Sequence, residues 1–87
     1  MTREMIINAV NALNEDAFIS MDNDKAIYVV LVDCEGYDDI RDYDNPEAVA
    51  DFLTMLQINS NSYVEGFYDE YHFNDFKVIV GYLSYDD

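Results

Sequence analysis

Two side chains in this sequence are of types that often do chemistry, a histidine and a cysteine, and each occurs once. His72 stands between two aromatic residues, where no nucleophile or partner acid completes a recognisable catalytic set. Cys34 lies between Asp33 and Glu35, and carboxylates on both sides disfavour the thiolate that a nucleophile needs. We therefore expect no enzymatic activity and no catalytic residue.

The carboxylates are the remaining candidates for chemistry, because hard cations prefer oxygen ligands. Asp22-Asn23-Asp24 begins like a calcium loop, but the glycine and the distant glutamate of such a loop do not follow. A second group, made of Asp38, Asp39, Asp42 and Asp44, has the composition of many weakly cation-binding surfaces. A solvated charged face is the simpler interpretation of each group, so we predict no metal site and no cofactor.

The overall charge is more informative than either group. Nineteen Asp and Glu residues stand against four Lys and Arg residues, which gives a formal net charge of −15 on 87 residues. This sign excludes direct binding to nucleic acid or to an anionic membrane, because both require a basic surface. The expected partner is a basic protein, and a nucleic-acid-binding protein is the natural choice.

The charge is also unevenly distributed along the chain. From Asp42 to Phe76 there is no Lys or Arg, and tyrosines lie close to the acids: Tyr37, Tyr43, Tyr63, Tyr68 and Tyr71. Tyrosine beside a carboxylate suits an interface with Arg and Lys, since it adds hydrogen bonds and cation–π contact to the ion pairs. Carboxylates on a rigid frame could imitate the phosphates of DNA, with an affinity that falls as salt rises.

The length of the chain predicts a single domain, residues 1–87, with one modest core. The single cysteine makes an internal disulfide impossible. The first residues have no signal-peptide pattern, and the longest apolar run is too short to span a bilayer. These features predict a small cytoplasmic protein.

The strongest structural signals are two helix starts and one strand. Thr2 and Asn45-Pro46 are typical N-caps, and apolar residues follow each at helical spacing. Residues 26–32 form a continuous β-branched and aromatic run, which predicts the central strand. Weaker patterns predict a preceding strand at residues 17–21 and an edge strand at residues 37–43.

The last third of the chain fits two structures. Residues 76–83 have strand propensity, yet Phe73, Phe76, Val80 and Leu83 recur at helical spacing. We expect a last helix, with a strand as the alternative. The predicted fold is α+β: an N-terminal helix, a three-stranded antiparallel meander, a helix and then a last helix (or strand), with a single layer of sheet packed by helices.

Several short stretches, taken in order, carry a resemblance to a known family: Asn14-Glu15-Asp16, Val30-Leu31-Val32, Glu35-Gly36 with Asp38, Asn45 with Val49 and Phe52, Tyr68-Asp69-Glu70, and Phe73-Asn74-Asp75. With these anchor points the chain resembles the small acidic phage anti-CRISPR proteins, the type II-A inhibitors of Listeria prophages, which are DNA mimics. The resemblance extends over nearly the whole chain. It implies a helix, a three-stranded antiparallel sheet and two further helices.

The resemblance also implies a function. Such an inhibitor occupies the site at which an RNA-guided CRISPR effector nuclease reads its PAM, in the cytoplasm of the infected bacterial host. By the same resemblance Glu35 and Asp38 are turn contacts, Asp16 is a flanking contact, and Asp69 and Glu70 are the PAM-pocket mimics. The full predicted partner-binding set is Asp16, Glu35, Tyr37, Asp38, Asp39, Glu65, Tyr68, Asp69 and Glu70.

Two other functions fit the same sequence. An immunity protein would use the same acidic surface to cap a cationic nuclease toxin, and its sequence signature would not differ. A weak divalent-cation-binding regulator would use the aspartate groups.

Overall fold

The computed structural model describes residues 1–33 and 43–84. In chain order they form helix α1 (Arg3–Ala12), a 3-10 turn (Asn14–Asp16), strands β1 (Ala17–Asp22) and β2 (Ala26–Asp33), helix α2 (Pro46–Asn59), and strands β3 (Ser62–Val64), β4 (Asp69–His72) and β5 (Lys77–Ser84). The protein is therefore an α+β fold, as the sequence predicts.

The five strands form one mixed sheet in the order β1-β2-β5-β4-β3. β2 and β5 are parallel, and every other neighbouring pair is antiparallel. Residues 26–32 form a strand as predicted, but β2 is the second of the five strands, between β1 and β5, and the central position belongs to β5.

Each helix begins where the sequence predicts it. The Thr2 hydroxyl accepts a hydrogen bond from the Met5 N–H at 3.2 Å. The Asn45 side-chain oxygen accepts one from the Ala48 N–H at 3.1 Å, and Pro46 occupies the first turn of α2. Each cap provides a partner for a backbone donor that the helix itself leaves free.

Both helices contribute to the core on one face of the sheet. α1 buries Ile6 and Val10, and α2 buries Val49, Phe52 and Leu56. The sheet residues in this core include Ile27, Val29, Leu31, Tyr71, Val78 and Val80. In β2 and β5 these residues are paired in register, Ile27 with Val78 and Val29 with Val80, so they point to the same side. We call this side the helix face and the opposite side the open face.

The expected last helix is wrong, because residues 77–84 are strand β5 and residues 69–72 are strand β4. The helical spacing of Phe73 and Phe76 arises from a turn, in which the two rings stack with their centroids 5.1 Å apart. Val78 and Val80 face the core with period two, and Ile79 between them points to the open face. Alternation in β5 therefore outweighs a chance match to the helical period.

The three-stranded antiparallel meander is also wrong as a description of this sheet. Its first hairpin, β1 with β2, is present and antiparallel. The second neighbour of β2 is the parallel strand β5, whereas the predicted edge strand at residues 37–43 lies outside the described residues except for Tyr43, which is buried in the core. Within the described ranges, no helix is long and apolar enough to cross a membrane.

Candidate functional site: the acidic end and the open sheet face

Four of the predicted partner-binding residues, Glu35, Tyr37, Asp38 and Asp39, lie outside the described residues. The roles given to them as hairpin contacts stay predictions. The other five are Asp16, Glu65, Tyr68, Asp69 and Glu70, and the structure separates them into different environments.

Asp16 is a structural residue, which corrects its predicted role as a flanking contact. It is only 3% exposed. Its two carboxylate oxygens accept hydrogen bonds from the backbone N–H groups of Asp44, at 2.8 Å, and Asn45, at 2.9 Å. Asp16 thus ties the 3-10 turn to the start of α2, and both of its oxygens already have partners inside the fold.

Asp69 is half-buried and has partners on the neighbouring strands. Its carboxylate accepts hydrogen bonds from the Tyr63 hydroxyl at 3.0 Å and from the Tyr82 hydroxyl at 3.4 Å. Desolvation raises the pKa of the Tyr63 phenol above its usual value, and the bond to Asp69 raises it further. The predicted PAM-pocket mimic is therefore part of a hydrogen-bonded group across three strands.

Glu70 is also half-buried and lies beside two basic side chains. Its Oε1 is 3.7 Å from the Lys77 ammonium and 3.2 Å from His72 Nε2, although the His72 N–H is not aligned for a hydrogen bond. Part of the Glu70 charge is therefore offset within the protein. Charge reversal at Asp69 and Glu70 would disturb the sheet as well as any interface.

Tyr68 and Tyr71 have opposite environments. Tyr71 is 3% exposed in the core, where burial raises the pKa of its phenol to about 12. Tyr68 is 54% exposed and belongs to the connection between β3 and β4, together with the exposed Glu65. Tyr68 and Glu65 are the predicted contacts that the structure leaves accessible.

The basic residues of the described ranges lie together at one end of the sheet. Arg3 pairs with Asp22 at the end of β1, and its guanidinium lies 5.7 Å from the centre of the Phe76 ring. Lys25 is in the turn between β1 and β2, and its carbonyl accepts a hydrogen bond from the Lys77 N–H at 2.9 Å. We call this the cation end.

The opposite end carries exposed carboxylates: Glu15, Asp44, Glu47, Asp51 and Glu65. Glu15 adjoins Asp16, which bonds to the backbone of Asp44, so the turn and the start of α2 lie together. Glu65 precedes β4. That strand begins beside Val80 in the middle of β5 and runs back toward Lys77, so the connection before it lies toward the end opposite Lys77. We call these five residues the acidic end.

The distance between the two ends decides whether the cations neutralise the acids. β2 has eight residues and runs from one end to the other. At about 3.3 Å per residue it spans about 23 Å. Screening by physiological salt acts over about 8 Å. Lys25 and Lys77, at the start of β2, therefore do not neutralise Glu15 and Asp44 at its far end.

No known protein family, curated protein or solved structure matches this chain.

The open face of the sheet contains a groove that sequence reasoning missed. It has a volume of about 270 Å³ and is lined by Ser20, Tyr28, Val29, Val30, Tyr68, Ile79 and Gly81. Gly81 lies under the Tyr68 ring, and a Cβ at this position would come within 3.2 Å of that ring. A glycine inside a predicted strand indicates a close approach of another group, and this was the available signal.

The described residues contain no group of three or more His, Cys, Asp or Glu side chains arranged to hold a metal ion. The carboxylates that have close partners bind backbone N–H groups, tyrosine hydroxyls or cations of the protein itself. The accessible chemistry of the site is thus a set of exposed carboxylates at one end and an apolar groove on one face.

Proposed function

We propose that this protein is an acidic inhibitor that binds a basic nucleic-acid-binding protein in the place of nucleic acid. The observation that supports this proposal is that exposed carboxylates and basic side chains lie at opposite ends of the sheet. Carboxylates without a nearby described cation produce an extended negative potential, and a groove that binds phosphates is attracted to such a potential. The net charge of −15 gives the same sign to the whole molecule.

The acidic end is held in place before any partner binds. Asp16 anchors Asp44 and Asn45 through two hydrogen bonds, and the Asn45 cap fixes the first turn of α2. Glu47 and Asp51 are four residues apart on that helix and both are exposed, so they lie on the same side. Preorganised charges lose less entropy on binding than charges on a mobile tail, which favours a tight complex.

As the target we propose a CRISPR effector nuclease loaded with guide RNA, because of the sequence resemblance. The PAM is read by arginines that bind guanine through two hydrogen bonds, and a carboxylate accepts the same pair of bonds. The fold adds no support to this choice, since α2 is followed by β3, β4 and β5 in place of the last helix that the resemblance implies. The support for this target comes from the net charge of the protein and from the sequence resemblance.

The experiment compares two double charge reversals that change the net charge equally. Glu47→Lys with Asp51→Lys alters the acidic end, and Glu4→Lys with Asp75→Lys is the control at the cation end. Glu47 and Glu4 each lie in the first turn of a helix, so the loss of favourable helix-dipole interaction, about 0.3–1 kcal/mol, is matched. DNA cleavage by the guide-loaded nuclease is measured against inhibitor concentration at low and at physiological salt.

We expect the acidic-end variant to need about tenfold more protein for half inhibition, equivalent to about 1.4 kcal/mol, and the control to change by about threefold or less. Inhibition by the unaltered protein should weaken as salt rises. Equal losses in both variants would mean that only net charge matters. Absence of inhibition would reject this target, and capture of a cationic nuclease toxin instead would assign the protein to the immunity class.

A further inference from the structure

The open face carries apolar side chains that no helix of the described residues covers. The strand register places on this face Phe18, Met21, Tyr28, Val30, Ile79 and Leu83. Phe18, Met21 and Leu83 are exposed. Contiguous exposed apolar surfaces commonly mark interaction sites.

The groove within this face has a defined wall and floor. The Tyr68 ring rests on the Gly81 backbone, and Val30 lies beside Gly81 in the register of β2 and β5. The one side-chain hydroxyl on the β1 side, Ser20, donates to the Tyr28 carbonyl at 3.4 Å. At about 270 Å³ the groove is smaller than most small-molecule sites, which measure about 300–1,000 Å³. It suits one apolar side chain of a larger partner.

The charges around the groove restrict what that partner can be. Glu70 is paired in register with Ile79, which lines the groove, and Glu65 lies three residues before Tyr68 in the same connection. Lys77, which lies two residues before Ile79 on the same face of β5, is already paired with Glu70. A second copy of this chain would bring another −15 charge to the same place, which opposes association. Complementarity favours a basic partner.

We infer that this groove receives an apolar side chain from a Lys- or Arg-rich segment of the partner protein. The inference rests on the proposed function only in taking the partner to be basic. The apolar side chain packs against Tyr68 and the Gly81 backbone, and the flanking cations lie near Glu70 and Glu65. Charge brings the partner to the surface, and the groove selects among basic segments.

Two synthetic peptides of equal length and charge test the inference without the nuclease. One alternates Lys with Leu, and the other alternates Lys with Ser. We expect the Leu peptide to bind the unaltered protein about tenfold more tightly by calorimetry, a difference of about 1.4 kcal/mol. It should also shift the amide resonances of Ser20 and Gly81.

Two variants of the groove and one control test whether the groove causes the preference for the Leu peptide. Gly81→Leu fills the groove, and Tyr68→Ala removes its exposed wall. The matched control is Ile58→Ala, which removes a 75% exposed apolar side chain from α2, on the other side of the molecule. The preference for the Leu peptide should be lost in the first two variants and kept in the third. If Gly81→Leu does not fold, Tyr68→Ala decides the question alone.

Several results would overturn the inference. They are equal affinity for the two peptides, a preference that survives in Tyr68→Ala, and a concentration-dependent dimer of the protein that Gly81→Leu abolishes. A preference that appears only after deletion of residues 85–87 would assign the groove to the protein's own C-terminal residues. Because no nuclease is present, failure here leaves the proposed inhibition standing, and failure to inhibit leaves the peptide preference standing.

Discussion

Removal of the Asp16 carboxylate should destabilise the protein more than removal of any exposed acid. Its two oxygens accept backbone N–H bonds at 2.8 and 2.9 Å, and the side chain is almost completely buried. Asp16→Ala leaves both N–H groups without an acceptor, at about 1–3 kcal/mol for each buried donor. Water can reach the exposed residues Asp44 and Asn45 in part, so we expect a total loss of about 3 kcal/mol.

Urea unfolding followed by circular dichroism measures this loss. Small proteins lose about 1–3 kcal/mol of stability per molar urea, so the midpoint should fall by about 1–3 M. Asp16→Asn keeps one acceptor oxygen and should lose about half as much. The neighbouring Glu15→Ala is the control, because Glu15 is exposed, and it should change stability by less than about 0.5 kcal/mol.

A small effect would refute this account of Asp16. If Asp16→Ala lost less than about 1 kcal/mol, or no more than Glu15→Ala, the two hydrogen bonds would not be holding the 3-10 turn against α2. The acidic end would then lack the rigidity that the proposed function assigns to it. The same variant therefore tests the scaffold separately from the charges that it carries.

Two further measurements test the described structure. Burial raises the pKa of Tyr71 to about 12 from a usual value of 10, so the folded protein keeps the phenol proton longer than the unfolded chain does, and stability should fall as the pH rises from 10 to 12. Tyr71→Phe removes this contribution, and a pH dependence in that window that is as steep in Tyr71→Phe as in the unaltered protein would contradict it. Asn45→Ala removes the cap of α2 and should cost about 1 kcal/mol in the same urea assay. The Asn45→Asp variant, which retains an acceptor, should recover most of that loss.

The parts of the fold that depend on neighbouring residues were predictable. Thr2 and Asn45 cap their helices through groups three residues away, and both helix starts are confirmed. β2 was predictable because its β-branched and aromatic composition indicates a strand. In each of these cases the deciding contact, or the deciding residue type, lies within one short stretch of sequence.

The parts that depend on distant residues were not predictable in the same way. β5 pairs with β2, and nothing within residues 76–83 identifies a parallel partner so far away in the chain. The resemblance implied that Asp16 is a flanking contact, whereas its burial depends on hydrogen-bond donors that are 28 and 29 residues further along. Both errors come from tertiary contacts that a local pattern does not contain.

The candidate site was also predictable only in those features that depend on local sequence. The acidic character of the surface was predictable from composition, and Tyr68 was identified as a possible contact residue. The difference in exposure between Tyr68 and Tyr71 could not be predicted without knowing that residues 69–72 form strand β4. Alternation in β4 points Tyr71 to the helix face, whereas Tyr68 precedes the strand. Predicting the groove would have required knowing both that residues 77–84 form strand β5 and where Gly81 lies within it.

The position of β5 also determines the order in which this sheet can assemble. β5 is the last of the described strands in the chain, yet it lies between β2 and β4. Pairing Ile27 with Val78 closes a loop of 51 residues (78 − 27), whereas pairing Asp22 with Ile27 closes one of 5 (27 − 22). By the logarithmic dependence of closure entropy on length, the longer loop costs about 2 kcal/mol more to close. The hairpin of β1 and β2 can therefore form early. The helix-covered core is completed only when the final strand inserts between its two neighbours, which makes that insertion the natural rate-limiting step of folding.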